Sequence, residues 1–210
     1  MYHFAENFTI MKQHWKPSTI VNPVPAVMVS CGSEPTEYNI ITVAWVGTIC
    51  SEPPMCYISV RRQRHSYDII RRNGEFVINL TSVDLARVTD WCGVRSGSDF
   101  DKFSHCGLTA EPSANVKAPS IAESPISIEC RVKQIVELGS HDMFIAEIVG
   151  VAVDESLLDK ESGKLDISRA NLMCYAHGEY FALGEALGTF GFSVKGSTKR
   201  EELKKSKQRK

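Results

Sequence analysis

The chain has 210 residues, of which 43% are hydrophobic and 23% are charged, a composition that favours a folded globular domain over a disordered or fibrous protein. Its formal net charge is −1, but residues 195–210 hold eight of the 24 Lys and Arg and two of the 25 Asp and Glu. That segment carries +6, and the 16 basic and 23 acidic residues of the rest give −7. Because an acidic body repels a polyanion, this distribution argues against a broad nucleic-acid-binding face, and no run of 18 apolar residues indicates a membrane span.

The N-terminus and the cysteines favour a cytoplasmic protein without a metal site. MYHFAENFTIMKQHWK lacks the basic start, apolar run and small-residue cleavage site of a secretory signal. The seven cysteines are odd in number and form neither a C-x-x-C pair nor a close grouping with His, so we expect mostly reduced core thiols and leave one redox-active thiol open. We predict one domain over residues 1–194 and, in residues 195–210, a basic, disordered tail that is solvated rather than bound to nucleic acid or membrane.

Most of the predicted elements are β-strands. In chain order, strand-like apolar runs cover residues 26–31, 40–46, 55–60, 76–80, 125–138 and 143–153, with weaker runs at 172–175 and 180–183. The run 125–138 alternates apolar and polar residues, and Gly139-Ser140-His141-Asp142 then predicts a hairpin with His141 at its tip. No regular strand–helix–strand spacing occurs, so the pattern predicts an antiparallel barrel or sandwich.

Three short helices are predicted outside the strands. The first has Ser66 as its N-cap and stops at Asn73-Gly74. The second covers residues 82–91 and stops at Cys92-Gly93, and a single turn is expected at residues 99–103. These helices are too few and too short to form a layer of their own, so we expect them at the periphery of the sheet.

The segment RRQRHS, residues 61–66, lies between a predicted strand and the first predicted helix. A helix N-terminus presents unpaired N–H groups and a partial positive charge, and guanidinium groups form paired hydrogen bonds with phosphate oxygens. The order strand, arginine turn, helix therefore favours a site for one phosphate group, with a solvated run of surface charge as the alternative. Neither G-x-x-x-x-G-K-[ST] nor G-x-G-x-x-G after a strand occurs, so a nucleotide would not bind through those loops.

The order of these segments resembles the flavoredoxin group of the flavin reductase-like family, the FMN-binding split-barrel proteins. The segments that carry the resemblance are PVPAVMVS (23–30), NIITVAW (39–45), PPMCYISVRRQRHSYDII (53–70), GEFVINL (74–80), WCGVRSGSDFDKF (91–103), VKAPSIAESPISIEC (116–130), ELGSHDMFIAEIVGV (137–151) and GEYFALGEALGTFGFS (178–193). They span roughly residues 20–193, and their order and spacing make the match more specific than any one of them alone.

The resemblance implies a mainly β fold, a six-stranded antiparallel Greek-key split β-barrel with a few short peripheral helices. It also implies a homodimer that binds FMN tightly at the interface between its subunits. By the same resemblance the residues that would bind FMN are Asn39, Thr42, Ala44 and Trp45 beside the ring and ribityl chain, Ser59, Arg61, Arg64, His65, Ser66 and Tyr67 at the phosphate, and Lys102 and His141. A cation or donor near the flavin raises its reduction potential, so Lys102 and His141 are candidates for tuning it.

Two positions depart from the family pattern. Arg62 stands where many members have proline, and His65 stands where many have tyrosine or phenylalanine. The first change loosens the turn, and the second adds either a phosphate ligand or a group that titrates near neutral pH. Neither change removes the phosphate donors, but the contacts of Arg62 stay open.

The functional expectation is a redox flavoprotein that takes electrons from NAD(P)H or a redox partner and passes them to flavin, ferric iron, a thiol or a protein. The cofactor would carry the chemistry, so no catalytic side chain is predicted. The resemblance favours an NAD(P)H-dependent FMN oxidoreductase but leaves open an electron carrier that another protein reduces. The alternative is a non-catalytic module that binds or senses FMN or another phosphorylated ligand.

Overall fold

The structure is a computed structural model and describes residues 11–194. The predicted tail at residues 195–210, like the first ten residues of the predicted domain, lies outside the described residues.

Twelve strands and three α-helices make up the described part of the chain. The strands are β1 Val24–Pro25, β2 Val27–Cys31, β3 Asn39–Val43, β4 Val46–Ser51, β5 Pro54–Val60, β6 Glu75–Leu80, β7 Ala110–Glu111, β8 Ser120–Ile121, β9 Ile126–Glu137, β10 Asp142–Val153, β11 Met173–Ala176 and β12 Glu179–Ala182. The helices are α1 His65–Asn73, α2 Ala86–Val94 and α3 Lys102–Cys106, and single 3-10 turns lie at Pro35–Glu37, Val83–Leu85, Glu155–Leu157 and Ile167–Ala170. All the predicted strand runs therefore form strands, with boundaries that differ by a few residues.

The main sheet has seven strands in the order β3-β2-β6-β9-β10-β5-β4, and every neighbouring pair is antiparallel. Its two edge strands, β3 and β4, are joined by only Ala44 and Trp45, so the sheet must curl until its edges meet. The Ser59 amide donates to the Trp45 carbonyl over 2.8 Å at this junction. The predicted strand at 40–46 is thus broken in two, and with β3 and β4 counted as one bent strand the barrel has the six strands that were predicted.

The barrel interior is apolar because alternate residues of its strands point inward. In β2, Val27, Val29 and Cys31 belong to the interior cluster, whereas Met28 packs outward among residues of α2 and α3. Helix α1 adds Tyr67, Ile69 and Ile70 to the interior. This packing holds the start of α1 against the barrel wall.

Helix α1 ends as predicted but begins differently. Gly74 follows it in the left-handed conformation, with φ 68°, and its amide donates to the Ile70 carbonyl. The N-cap, however, is Arg64, and no side chain caps the helix, so the prediction that Ser66 is the N-cap was wrong. Ser66 lies inside the first turn, and its hydroxyl accepts a hydrogen bond from a residue on β3.

The other two helices are displaced from their predicted positions. A 3-10 turn at Val83–Leu85 leads into α2, which continues through Cys92 and Gly93 to Val94, so the predicted stop was wrong. Gly93 allows α2 to pack closely against β3, since a Cβ at that position would lie only 3.1 Å from the Thr42 Cβ. Helix α3 starts after Asp101, whose carboxylate accepts from an amide of the first turn.

The long hairpin is confirmed. Strands β9 and β10 pair from Glu137 opposite Asp142 to the far end, and the loop between them contains residues 138–141. His141 is the last residue of that loop, directly before β10. A smaller sheet, β1-β11-β12, contains the two weakly predicted strands. Within residues 11–194 no helix is long and apolar enough to cross a membrane.

Candidate functional site

Two adjoining cavities lie along β3, at the edge where the barrel closes. The barrel-edge cavity, of about 150 Å³, is lined by Ile41, Thr42, Val43, Ala44, Trp45, Ser59, Val60, Arg61, Arg64 and His141. The helix-end cavity, of about 110 Å³, is lined by Asn39, Ile41, Gln63, Arg64, His65, Ser66, Cys92, Val94, Arg95, Ser96, Gly97 and Lys102. Because Ile41 and Arg64 line both, the cavities form one groove that runs from the barrel edge to the start of α1.

This groove brings together eleven of the twelve residues predicted to bind the flavin. Those in the barrel-edge cavity are Thr42, Ala44, Trp45, Ser59, Arg61, Arg64 and His141, and those in the helix-end cavity are Asn39, Arg64, His65, Ser66 and Lys102. Tyr67 lines neither cavity. Its ring packs in the barrel interior and its hydroxyl donates to Asp142.

The helix end of the groove is electropositive. At the N-terminus of α1 the Tyr67 amide donates to the Arg64 carbonyl, so the amides left without a backbone acceptor are those of His65 and Ser66. Arg64 is exposed beside them, and Arg61 is exposed in the adjoining barrel-edge cavity. Among residues 11–194, neither arginine forms an ion pair, whereas Arg62 between them is paired with two carboxylates. Two uncompensated guanidinium groups and a helix N-terminus form a suitable cradle for a dianion.

Ser66 is held in place by a buried amide. Asn39 Nδ2 donates to Ser66 Oγ over 2.7 Å, and both residues are buried. A hydroxyl that accepts one bond can still donate its proton, and the buried Cys31 sulfur lies within reach of the Ser66 hydroxyl. The loop after α2 approaches Asn39 closely, because a Cβ on Gly97 would lie 2.1 Å from Asn39 Oδ1.

Lys102 is buried and serves as a link between β3 and α2. Its ammonium donates to the carbonyls of Ile40 and Cys92, each over 2.7 Å. Strand β3 is an edge strand, so on this side the lysine supplies the donor that a neighbouring strand would otherwise provide. Burial is the main cause that lowers the pKa of Lys102 below its usual value. Its charge therefore lies in the wall of the groove, where it also holds that wall together.

His141 is half-buried at the other side of the groove. Its Nδ1 lies 2.9 Å from the hydroxyl of Ser140. Burial first, and then the positive charges of Arg61 and Arg64, lower its pKa below the usual value. The imidazole is therefore neutral at pH 7 and is available as a hydrogen-bonding group rather than a fixed cation.

Arg62 does not face the groove but anchors the hairpin. Its guanidinium donates to both carboxylate oxygens of Asp142, over 2.8 and 3.1 Å, and pairs with Glu137 over 2.9 Å. Asp142 also accepts from the Tyr67 hydroxyl over 2.5 Å, and its pKa is lowered by Arg62 and then by Tyr67. Sequence reasoning missed Asp142. The only signal was its place directly after His141, in a hairpin that the arginine turn approaches.

The comparisons with known proteins define the class to which this fold and groove belong. The sequence model of the flavin reductase like domain matches residues 21–184, so the chain belongs to that family. Flavin-related redox chemistry and a flavin cofactor are the properties that this membership indicates.

Within that family, the chain resembles flavoredoxins. The structure of flavoredoxin of Desulfovibrio vulgaris (Miyazaki F) has a TM-score of 0.81 and 35% identity over 88% of this chain and 100% of that one. The structure of the flavoredoxin from Methanosarcina acetivorans has a TM-score of 0.79 and 23% identity over 90% of this chain and 100% of that one, which shows a likeness of fold. A curated protein of Archaeoglobus fulgidus is 32% identical over 143 residues, 68% of this chain and 79% of its own length. The predicted membership in the flavoredoxin group is confirmed.

Proposed function

We propose that the chain binds FMN in the groove along β3 and uses it as a redox flavoprotein. The observation that carries this proposal is the convergence of eleven predicted residues on one groove that ends at the N-terminus of α1. These residues come from β3, the β3–β4 link, β5, the β5–α1 turn, α1, α3 and the β9–β10 loop, so only the fold brings them together. The flavoredoxin from D. vulgaris, at 35% identity, supports the same assignment.

The donor set at the helix end fits a phosphate. Arg64 would donate charge-assisted hydrogen bonds, and Arg61 would add others from the adjoining barrel-edge cavity. The Ser66 hydroxyl would add a neutral bond, and the free amides of His65 and Ser66 would face the same oxygens. His65 stands at the first position of α1, where its ring would lie close to the phosphate. This is the part of the groove that distinguishes a phosphorylated ligand from an unphosphorylated one.

The barrel-edge cavity fits the flat ring of a flavin. Ala44 and Trp45 are half-buried at the point where the barrel closes, and Ile41 and Val43, whose side chains pack in the barrel interior, line the cavity beside them. Bound flavin would supply two-electron redox chemistry with a hydride donor such as NAD(P)H. The neutral imidazole of His141 would contribute a hydrogen bond here, and the buried ammonium of Lys102 would contribute a positive potential from the adjoining helix-end cavity.

We infer that a second protomer completes the site. The barrel-edge cavity is well below the roughly 300 Å³ at which pockets for ligands of this size begin, so one chain encloses only part of a flavin ring there. Ile49 on β4, next to the barrel edge, is an exposed apolar residue that a partner would cover. A homodimer with FMN at its interface accounts for both observations, and a cytoplasmic location remains a prediction.

In this proposal NAD(P)H or a protein partner reduces the flavin, and free flavin, ferric iron, a thiol or a protein accepts the electrons. The test is anaerobic: the purified protein is reconstituted with FMN, and the flavin absorbance is followed with NADH and NADPH in turn. Bleaching by either nicotinamide supports an NAD(P)H-dependent oxidoreductase, whereas a yellow protein that neither reduces is a carrier or a sensor. A folded protein that takes up no FMN would overturn the proposal.

The residue-level test compares two variants, each of which removes one arginine and therefore one positive charge. Arg61→Ala removes a phosphate donor and should weaken FMN binding by roughly tenfold to a hundredfold, the equivalent of one charge-assisted bond. Arg71→Ala removes an exposed arginine at the far end of α1 and should leave FMN binding nearly unchanged. Equal affinities in the two variants would place the phosphate elsewhere.

A further inference from the structure

Two free thiols that the proposed flavin site does not use lie close together. Cys92 on α2 and Cys106 on α3 have their sulfur atoms 3.9 Å apart. Cys92 is buried, and Cys106, at the last position of its short helix, is half-buried. A disulfide needs its sulfurs about 2.05 Å apart, so a side-chain rotation or a small shift of α3 would join them.

The thiol pair lies in the wall between two cavities. Cys92 lines the helix-end cavity of the flavin groove. Cys106 lines a separate open cavity of about 480 Å³, here named the outer cavity, with Arg87, Val88, Asp90, Trp91 and His105 as its other lining residues. This volume falls in the range of small-molecule sites, roughly 300–1,000 Å³. A ligand in the outer cavity would therefore meet the Cys106 sulfur before it could meet Cys92.

We propose that Cys92 and Cys106 form a dithiol–disulfide redox site whose substrate is a low-molecular-weight disulfide bound in the outer cavity. The other walls of the cavity suit an amino-acid-derived disulfide. Trp91 and His105 are stacked, with ring centroids 4.3 Å apart and planes at 12°, and offer a flat surface to an alkyl or peptide chain. Arg87 is exposed and offers a guanidinium to a carboxylate.

The reaction has two balanced steps. The Cys106 thiolate attacks one sulfur of the substrate, the substrate S–S bond breaks, one thiolate leaves, and a mixed disulfide forms on Cys106. The Cys92 sulfur, deprotonated as it reacts, then attacks the Cys106 sulfur, and the second substrate thiolate leaves. The two protons of the protein thiols pass through solvent to these thiolates. The two protein thiols are thus oxidised to one disulfide, and one small disulfide is reduced to two thiols.

Burial and access assign the order of attack. Burial is the largest cause that raises the pKa of both thiols, to about 12 for Cys92, while Cys106 is the less buried of the two. The nearby charge of Lys102 opposes this rise at both sulfurs. Cys106 is therefore the first nucleophile and Cys92 the resolving thiol, with slow exchange at neutral pH that accelerates as the pH increases.

A second close pair gives an internal comparison. Cys56 and Cys130 have their sulfurs 3.5 Å apart, closer than the proposed pair, but both belong to the barrel interior. Neither lines the groove or the outer cavity. Proximity without access should leave these two thiols unreactive in the folded protein.

The proposal does not depend on FMN and is tested on the full chain without it. The folded protein is incubated with oxidised glutathione, the remaining thiols are alkylated after denaturation, and the peptides are mapped by mass spectrometry. We expect a peptide pair linked through Cys92 and Cys106, no glutathione retained on either residue, and return of both thiols on treatment with dithiothreitol. In Cys92→Ser, glutathione should stay on Cys106, and in Cys174→Ser, the control at a half-buried thiol, the link should form as in the wild type.

Three results would overturn the proposal. Two unmodified thiols in the wild type would show that the outer cavity does not admit the disulfide. Glutathione retained on Cys106 of the wild type would show that Cys92 does not resolve the adduct. A link between Cys56 and Cys130 that forms as fast as the proposed one would show that proximity alone governs the reaction.

Discussion

Lys102 offers the sharpest test of how the groove is held together. Its ammonium is buried between β3 and α2 and donates to the carbonyls of Ile40 and Cys92. The substitution Lys102→Met keeps most of the side-chain volume but removes the donors, so it leaves two buried carbonyls without partners. We expect the variant to fold with reduced stability and a loosened groove wall.

The size of the loss follows from these two bonds. A buried acceptor that loses its donor costs about 1–3 kcal/mol, so two such carbonyls cost about 2–6 kcal/mol. The variant is relieved of the penalty for burying an ammonium, which offsets part of that cost. We therefore expect the free energy of unfolding to fall by about 2–4 kcal/mol.

The pH dependence separates the charge from the packing. Because burial lowers the pKa of Lys102 in the folded protein, Lys102 holds its proton more tightly in the unfolded chain. Between the lowered pKa and the usual one, the contribution of Lys102 to the free energy of unfolding therefore increases with pH. Urea denaturation of the wild type and Lys102→Met at about pH 8 and about pH 10 measures this. The variant should lack the Lys102 contribution, so the difference between the two proteins should be greater at the higher pH.

The control for this experiment is Lys117→Met. Lys117 is exposed and, among the described residues, its side chain forms no ion pair, so its replacement should change the free energy of unfolding by no more than about 0.5 kcal/mol, as most surface substitutions do. If Lys102→Met also changes stability by no more than this, the two carbonyl bonds do not hold the wall. A difference between wild type and variant that does not depend on pH would show that the pKa of Lys102 is not lowered.

Three further predictions concern the turn, the groove and the hairpin. Arg62→Ala should remove the partner that lowers the pKa of Asp142, so denaturation by acid, followed by circular dichroism, should begin at a higher pH than in the wild type; an unchanged acid transition would contradict the pairing. Gly97→Ala should displace the Asn39 side chain, because the added Cβ would lie 2.1 Å from its Oδ1, and should weaken FMN binding by roughly fivefold, the equivalent of one neutral hydrogen bond, in a flavin fluorescence titration. An NMR titration of His141 in the FMN-free protein, assigned with His141→Gln, should give a pKa below the usual 6.5, and a value at or above it would remove the argument for a neutral imidazole.

The strand pattern was accessible from the sequence because it is local. Alternation over residues 125–138 predicted β9, and the Gly139-Ser140 turn predicted the hairpin, since both follow from neighbouring residues. The break at Ala44-Trp45 was not predicted, because it is imposed by closure of the barrel. An apolar run that continues through a bend has the same period as a straight strand.

The errors at the helices have a common cause in contacts between distant segments. Ser66 appeared suited to cap α1, but Asn39, 27 residues earlier, binds its hydroxyl inside the helix. Gly93 appeared suited to end α2, but its small size serves the contact with Thr42. The role of Arg62 likewise depends on Asp142, 80 residues later. A local sequence pattern gives no information about contacts between residues so far apart in the chain.

The proposed flavin site depends on the start of α1, with Arg61 and Arg64, to bind the phosphate of FMN. The most direct test compares the affinities of FMN and riboflavin, which lacks that phosphate, by flavin fluorescence titration of the wild type and the Arg61→Ala/Arg64→Ala double variant. We expect the wild type to bind FMN at least about tenfold more tightly than riboflavin, and the double variant to lose this preference while its affinity for riboflavin is unchanged. Equal affinities for both ligands in the wild type, or an FMN preference that survives in the double variant, would contradict it.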